Sequence, residues 1–282
     1  MPNLLLADSG STKTDWCLLQ EEGKPVYFKT SGINPFLQSA EQIDEMLGKE
    51  MKWKSNKHAA DSIYFYGAGA GNAANQKLLA GVLGNFFKIG KIEIQGDLMA
   101  AARSLCGVEP GIICILGTGS NSCYYDGKKI KDQKASLGYI AGDEGSGNYL
   151  GKRVLQYYAY NTFDAELRTS FEMLFGNDLP AIIQTLYRQP FPNRYLASMV
   201  QLLTANRGHF MVENIIEDCL NDFFLQHVLK YRQSWKLPIH FTGSVAYHFK
   251  DVIKELCHQY ELELGAIIQS PLKGLMNFHS GK

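Results

Sequence analysis

The sequence predicts an α/β protein built from two related domains, each a mixed sheet flanked by helices, around a central cleft. Three observations carry that expectation. An apolar strand, a small polar turn and a returning strand occupy Leu4 to Leu19, and the same pattern recurs from Gly111 to Tyr125. Residues 3–105 and 111–279 then run through the same succession of three strands, a helix, a strand ending in a Gly turn, a helix, a last strand and a last helix, the second copy carrying a long helical insertion. Finally, IEIQGDLMAAARSL and AIIQSPLKGLMNF share a strand and a helix start, with Asp97 standing where the second copy has Ser270. Self-similarity of this kind marks an internal duplication. It divides the chain into 1–108 and 109–282, with a helical insertion at about 144–235 in the second half.

The totals agree with two ordinary cores. A length of 282 residues with 45% hydrophobic side chains suits two domains, and 28 basic residues against 28 acidic leave no field that would draw a polyanion or a membrane surface. Nucleic acid and membrane are therefore not expected partners. No basic leader opens the chain and no apolar run of about 18 residues occurs, so the expected compartment is the cytoplasm. The six cysteines lie far apart without CxxC or zinc spacing and read as buried thiols. His240 and His248, on either side of a strand end, read as packing or surface residues.

Taken in order, Leu4 to Ala7 is a strand and Asp8 to Thr12 a turn of Asp, Gly and hydroxyl residues ahead of a second strand. Such a tip, with Lys13 beside it, can cradle phosphate oxygens while Asp8 holds a hydrated Mg²⁺, although the same residues make plain turns. Pro25 to Thr30 reads as a third strand. In Ser31-Gly32-Ile33-Asn34-Pro35 the proline biases Asn34 to an extended backbone, leaving its amide for a ligand or for capping the next helix. Ser39 to Met51 has helical spacing, 52–58 is a polar connection and Ser62 to Tyr66 a strand. The following Gly67 to Asn72 resembles a dinucleotide fingerprint, but the acidic residue about 20 positions on is missing, so close backbone packing is the better reading. Asp97, where the strand Ile92 to Gln95 meets a helix, suits a ligand cleft or an N-cap.

The second copy has a strand at Gly111 to Leu116, the turn Gly117-Thr118-Gly119-Ser120-Asn121, a strand at Ser122 to Tyr125 and a third near Lys128 to Lys131. Helices come next at about 144–160, 165–175, 179–186, 192–205 and 214–234, with Met211, Ile215, Cys219 and Phe223 as a core stripe. Pro238 to Phe241 is a strand leading into Thr242-Gly243-Ser244 and a helix to about Tyr260, before a strand at Gly265 to Gln269 and a closing helix at Pro271 to Phe278. No long Pro/Ser linker separates the halves, so the domains are expected to share an interface and move as a hinge.

Four segments, ADSGSTKTD, ILGTGSNS, GDEGSGNYLG and FTGSVA, together resemble the actin-like ATPase (ribonuclease H-like) and sugar-kinase superfamily. Within it the likeness is to the BadF/BadG/BcrA/BcrD group that includes N-acetylglucosamine kinases. The resemblance implies an ATP-dependent kinase acting with Mg²⁺ on the 6-hydroxyl of N-acetylglucosamine or a related amino sugar. It places Asp8, Gly10, Ser11, Thr12 and Lys13 in the first phosphate motif, Gly117, Thr118 and Gly119 in the second, and Gly243 and Ser244 at the adenosine side. Asp97 is implied as the base toward the sugar, which Asn34, Asn121, Gly138, Tyr139 and Asp143 would also approach. Tyr139 stands where the animal enzymes have His, which leaves the exact sugar open. A homodimer is the expected assembly.

Other uses of the family predict other things. An ATPase activator of a radical dehydratase needs cysteines paired at a dimer interface to hold an iron–sulfur cluster, and a sugar sensor needs no base. Glucosamine and N-acetylmuramic acid are alternative acceptors for a kinase.

Overall fold

The computed structural model describes residues 3–10, 12–51 and 60–281. Ser11 of the first turn and the polar connection at 52–58 lie outside them. The chain forms two compact units, one of Met1–Glu109 with Ser270–Lys282 and one of Pro110–Gln269.

The first unit contains β1 (Leu4–Ser9), β2 (Lys13–Leu19), β3 (Val26–Ser31), α1 (Ala40–Glu50), β4 (Ser62–Gly67), α2 (Ala73–Phe87), β5 (Ile92–Gly96) and α3 (Asp97–Cys106). Its sheet runs β3-β2-β1-β4-β5, with β1 antiparallel to β2 and parallel to β4. As the central strand, β1 is covered on both faces, which is why it reads as an unbroken apolar run instead of an alternating one. Trp16 is wholly buried behind it, stacked on Phe28 at 5.8 Å, with its Nε1 donating to Thr30 Oγ1 at 3.0 Å. A polar indole edge is tolerated in a core only with such a partner.

The second unit begins with β6 (Pro110–Leu116), β7 (Ser120–Asp126) and β8 (Ile130–Gln133). Its helical part comprises α4 (Gly138–Ala141), α5 (Gly147–Ala159), α6 (Ala165–Phe175), α7 (Leu179–Arg188), α8 (Pro192–Ser198), α9 (Val200–Ala205) and α10 (Phe210–Gln226), then two short 3-10 turns. It closes with β9 (Ile239–Thr242), α11 (Ser244–His248), α12 (Lys250–Gln259) and β10 (Leu264–Ile268). The sheet order β10-β9-β6-β7-β8, read from its far end, repeats the first sheet strand for strand, with the same two antiparallel and two parallel pairings. Two mixed five-stranded sheets flanked by helices, in one shared order, are the duplication expected from the sequence.

The last helix, α13 (Leu272–Ser280), packs in the first unit, although the sequence division assigned everything after residue 108 to the second. The reason is contact. Leu275 is wholly buried in a cluster with Tyr66 and Ala100, and Gly274 lies so close to Ser104 that a Cβ would fall 2.1 Å from its Oγ. Tyr66 OH meets His279 Nε2 at 2.8 Å and accepts from Arg103, which also pairs with Glu93 at 2.6 Å.

Several helices end where backbone geometry forces them to. The helix expected from residue 144 starts at Gly147, because Asp143 (φ 60°) and Gly145 (φ 69°) are left-handed and Ser146 is the N-cap. The segments expected as single helices at 192–205 and 244–260 break at Met199 and Phe249. That expected at 214–234 runs as α10 and the two 3-10 turns. Ile215, Cys219 and Phe223 form the anticipated core stripe, with Met211 packed against it. Five cysteines are buried and Cys106 is half-buried; burial raises the pKa of the Cys17, Cys106, Cys114, Cys219 and Cys257 thiols above the ordinary value. Among the described residues no helix is long and apolar enough to cross a membrane.

Candidate active site

In the second unit the register Leu116↔Ser120 leaves Gly117, Thr118 and Gly119 as the tip of the β6–β7 hairpin. Gly117 N donates to Gly119 O at 3.0 Å, closing the turn. The tip's carbonyls face the start of α5. Gly117 O accepts from Gly147 N at 2.8 Å, and Thr118 O accepts from Asn148 N at 3.0 Å and Asn148 Nδ2 at 2.7 Å. The first amides of α5 are thus taken up by the hairpin. Among the described residues the Thr118 and Gly119 N–H groups have no protein acceptor, so they are left to meet an anion.

Beside the tip lies a cavity of about 300 Å³. Ala197, Val200 and Val245 give it apolar walls, while Gln201, Thr204 and His248 add polar groups. Ser244 also lines it, next to Gly243, whose φ of 115° and approach to the sheet exclude a side chain: a Cβ there would lie 2.2 Å from Leu116 O. Of these residues, the motifs pointed to Gly117, Thr118 and Ser244. Gln201, Thr204 and His248 carry no local signal, because α9 and α11 reach the tip only through the fold.

Asp143 rests on the same tip. Its Oδ2 accepts from Asn148 Nδ2 at 2.7 Å and its Oδ1 from Ser120 N at 3.4 Å, and burial raises its pKa. Gly119 leaves the room it needs, since a Cβ there would be 2.9 Å from Asp143 Oδ2. The neighbouring Glu144 Oε2 meets the buried His227 Nε2 at 3.3 Å. Gly138 opens α4 with φ 68°, and Tyr139 O accepts from Lys152 Nζ at 2.9 Å. Asn121 Oδ1 accepts from Ser122 N at 2.9 Å and Gln133 Nε2 at 3.3 Å.

In the first unit Asp8 sits near the end of β1, opposite Asp15. Burial, reinforced by the carboxylates of Asp15 and Asp97, pushes its pKa up to about 7 against the pull of Lys13 and a hydrogen bond from Ser270 Oγ at 3.4 Å. Lys13 Nζ pairs with Asp15 at 2.7 Å. Gly10 N donates to Lys13 O at 3.0 Å, and Thr12 O accepts from Gly32 N at 3.1 Å, which ties the hairpin tip to the loop bearing Asn34. Ile33 N donates to Ser9 Oγ at 2.9 Å, a second tie.

Asn34 does not cap α1, whose cap is Ser39 with Gln42 completing a capping box. Its Oδ1 accepts from Phe36 N at 3.0 Å in a local turn and crowds Gly69, where a Cβ would fall 2.5 Å away. The glycine-rich turn after β4 does pack closely: a Cβ on Gly67 would lie 2.7 Å from the Phe65 ring, and one on Gly69 2.8 Å from the Phe36 ring. Asp97 is the first residue of α3, and Gly96 is its N-cap. Its Oδ1 accepts from Leu98 N at 2.9 Å, and burial raises its pKa. The fold therefore gathers Asp8, Gly10, Thr12, Lys13, Asn34 and Asp97 in one unit. It gathers Gly117, Thr118, Gly119, Asn121, Gly138, Tyr139, Asp143, Gly243 and Ser244 in the other.

The chain is 40% identical to a candidate N-acetylglucosamine kinase from Porphyromonas gingivalis, whose crystal structure it matches with a TM-score of 0.94 over 99% of both chains. It is 26% identical over 169 residues to the N-acetylmuramic acid/N-acetylglucosamine kinase of Clostridium acetobutylicum. That match covers 56% of this chain and 54% of the other, so it spans about half the length of the curated relative. The fold alone is shared with a ROK family glucokinase from Streptomyces griseus, crystallised with glucose and AMPPNP, at 15% identity and a TM-score of 0.56 over 98% of both chains. No family model matches the chain.

Proposed function

Because the chain belongs to the N-acetylglucosamine kinase-like family of actin-like ATPases, we propose that it transfers the γ-phosphoryl group of ATP to the 6-hydroxyl of N-acetylglucosamine or a closely related amino sugar. The observation that carries the reading is the cavity beside Gly117 and Thr118. Apolar walls with a few polar groups suit a nucleoside, and the adjoining Thr118 and Gly119 amides suit its phosphates.

On this reading Asp97 is the general base. A carboxyl raised by burial is better matched to taking a proton near neutrality than an ordinary aspartate. Asn34, Asn121, Gly138, Tyr139 and Asp143 would position the sugar. Gly10, Ser11, Thr12, Lys13, Gly243 and Ser244 would complete the nucleotide site. The residues around Asp8 suit a hydrated Mg²⁺: its carboxylate is crowded by two others, an arrangement that a cation relieves. Bound Mg²⁺ would offset the charge of the transferring phosphoryl group.

Burial of the thiols gives the activator reading no support. The test is a coupled ADP-release assay across N-acetylglucosamine, N-acetylmuramic acid and glucosamine, each against a control without sugar. Release that depends on one sugar is the expected result. Equal release without sugar, or none with any, would overturn the proposal.

A further inference from the structure

Asn148 is wholly buried in the first turn of α5. Its backbone N–H and its Nδ2 both donate to Thr118 O, and the same Nδ2 donates to Asp143 Oδ2 at 2.7 Å. Its Oδ1 has no hydrogen-bond partner among the described residues. A buried amide with an unpaired oxygen costs stability, so what recommends the residue here is its donor end. That end joins two things the proposed chemistry keeps separate: the Thr118 carbonyl of the tip on the nucleotide side and the Asp143 carboxylate on the acceptor side.

The surroundings leave this junction little freedom. Asp143 has a left-handed backbone, its other oxygen accepts from Ser120 N, and Gly119 packs directly beneath it. We propose that Asn148 is a positioning residue that makes Asp143 and the tip Gly117–Gly119 one rigid body, so that nucleotide and sugar each tighten the binding of the other. The coupling rests on the kinase reading; the rigid body does not. Lys152, one helical turn further along α5, supplies a comparison, because it holds Tyr139 O and makes no bond to the tip.

The experiment measures the affinity of the full-length protein for a non-hydrolysable ATP analogue, with and without saturating N-acetylglucosamine. It compares wild type with Asn148→Ala, Asn148→Ser and Lys152→Met. Sugar is expected to tighten wild-type binding of the analogue by a factor of at least about 5. That factor falls toward one in Asn148→Ala, is partly kept by the short donor of Asn148→Ser, and survives in Lys152→Met even where the sugar itself binds more weakly. In turnover, adding Asn148→Ala to Asp143→Ala lowers kcat/KM for sugar no further, because residues acting through one another are not additive.

A wild-type factor of one, a wild-type factor retained in folded Asn148→Ala, or an additive double variant overturns the proposal. Should Asn148→Ala fail to fold, Asn148→Ser decides by the same comparison. Hydrogen exchange of the Gly117 and Ser120 amides, which donate to Gly119 O and Asp143 Oδ1, is read without any ligand and is expected to quicken about tenfold in the Asn148 variants, but not in Lys152→Met, at unchanged global stability. Unchanged exchange overturns the rigid body. A wild type that phosphorylates no amino sugar overturns the kinase reading, and the exchange measurement still decides the clamp.

Discussion

Asp97 and Asp8 show how the same side chain is tuned by its surroundings. Asp97→Asn keeps the shape of the group and its bond from Leu98 N but cannot take a proton. It is expected to lower kcat by about 10²–10⁴ while the dissociation constants for nucleotide and sugar stay near wild type. Steady-state kinetics with calorimetry checks this, and a near-normal kcat would remove Asp97 from the role. Asp8, with its pKa raised from 3.8 to about 7, keeps a proton in the folded protein over a range where the unfolded chain has lost it. Its contribution to stability is therefore full below the ordinary carboxylate range and disappears as pH rises through about 7. Asp8→Asn should raise the melting temperature clearly more at about pH 8 than at about pH 5, and abolish Mg²⁺-dependent turnover. An equal rise at both pH values would contradict that account. Asp8, Asp97 and Asp143 were legible as candidates because each stands in a short motif with Gly one or two positions away. Asn148 stands in one of those motifs too, yet the role proposed for it lies in which carbonyl and carboxylate the fold brings to its amide, and no spacing encodes that.

Elements were legible where periodicity was strong and failed where one residue's backbone decides. The run LLLA of β1 and the stripe of α10 announce themselves by burial. The late start of α5 depends on the left-handed backbone at Asp143 and Gly145, and the break before α12 on Phe249; neither has a distinctive sequence signal. Gly243 is the sharpest case. Gly243→Ala would put a methyl group into Leu116 O, a backbone atom that cannot swing aside, at a φ that disfavours any side chain. The expected cost is about 2–4 kcal/mol, read as a lower urea midpoint, together with weaker binding of the ATP analogue as α11 is pushed from the sheet. Unaltered stability would mean that β6 and β9 can part more easily than their pairing suggests.

At the scale of the molecule, Pro110–Gln269 is one continuous stretch whose large buried cluster is drawn from within it. Expressed alone, it is expected to unfold in a single cooperative transition by circular dichroism; a gradual, non-cooperative melt would show that its core needs the rest of the chain. The first unit has no such independence, since Leu275 and His279 complete it from the far end of the sequence. This has a consequence for synthesis. When Cys106 leaves the ribosome, the face of α3 that Leu275 will cover is still bare, and the whole of Pro110–Gln269 must be translated before the covering helix exists. At about 5–20 residues per second that is a delay on the order of ten seconds, during which the earlier-made unit waits open to chaperones and to neighbouring nascent chains.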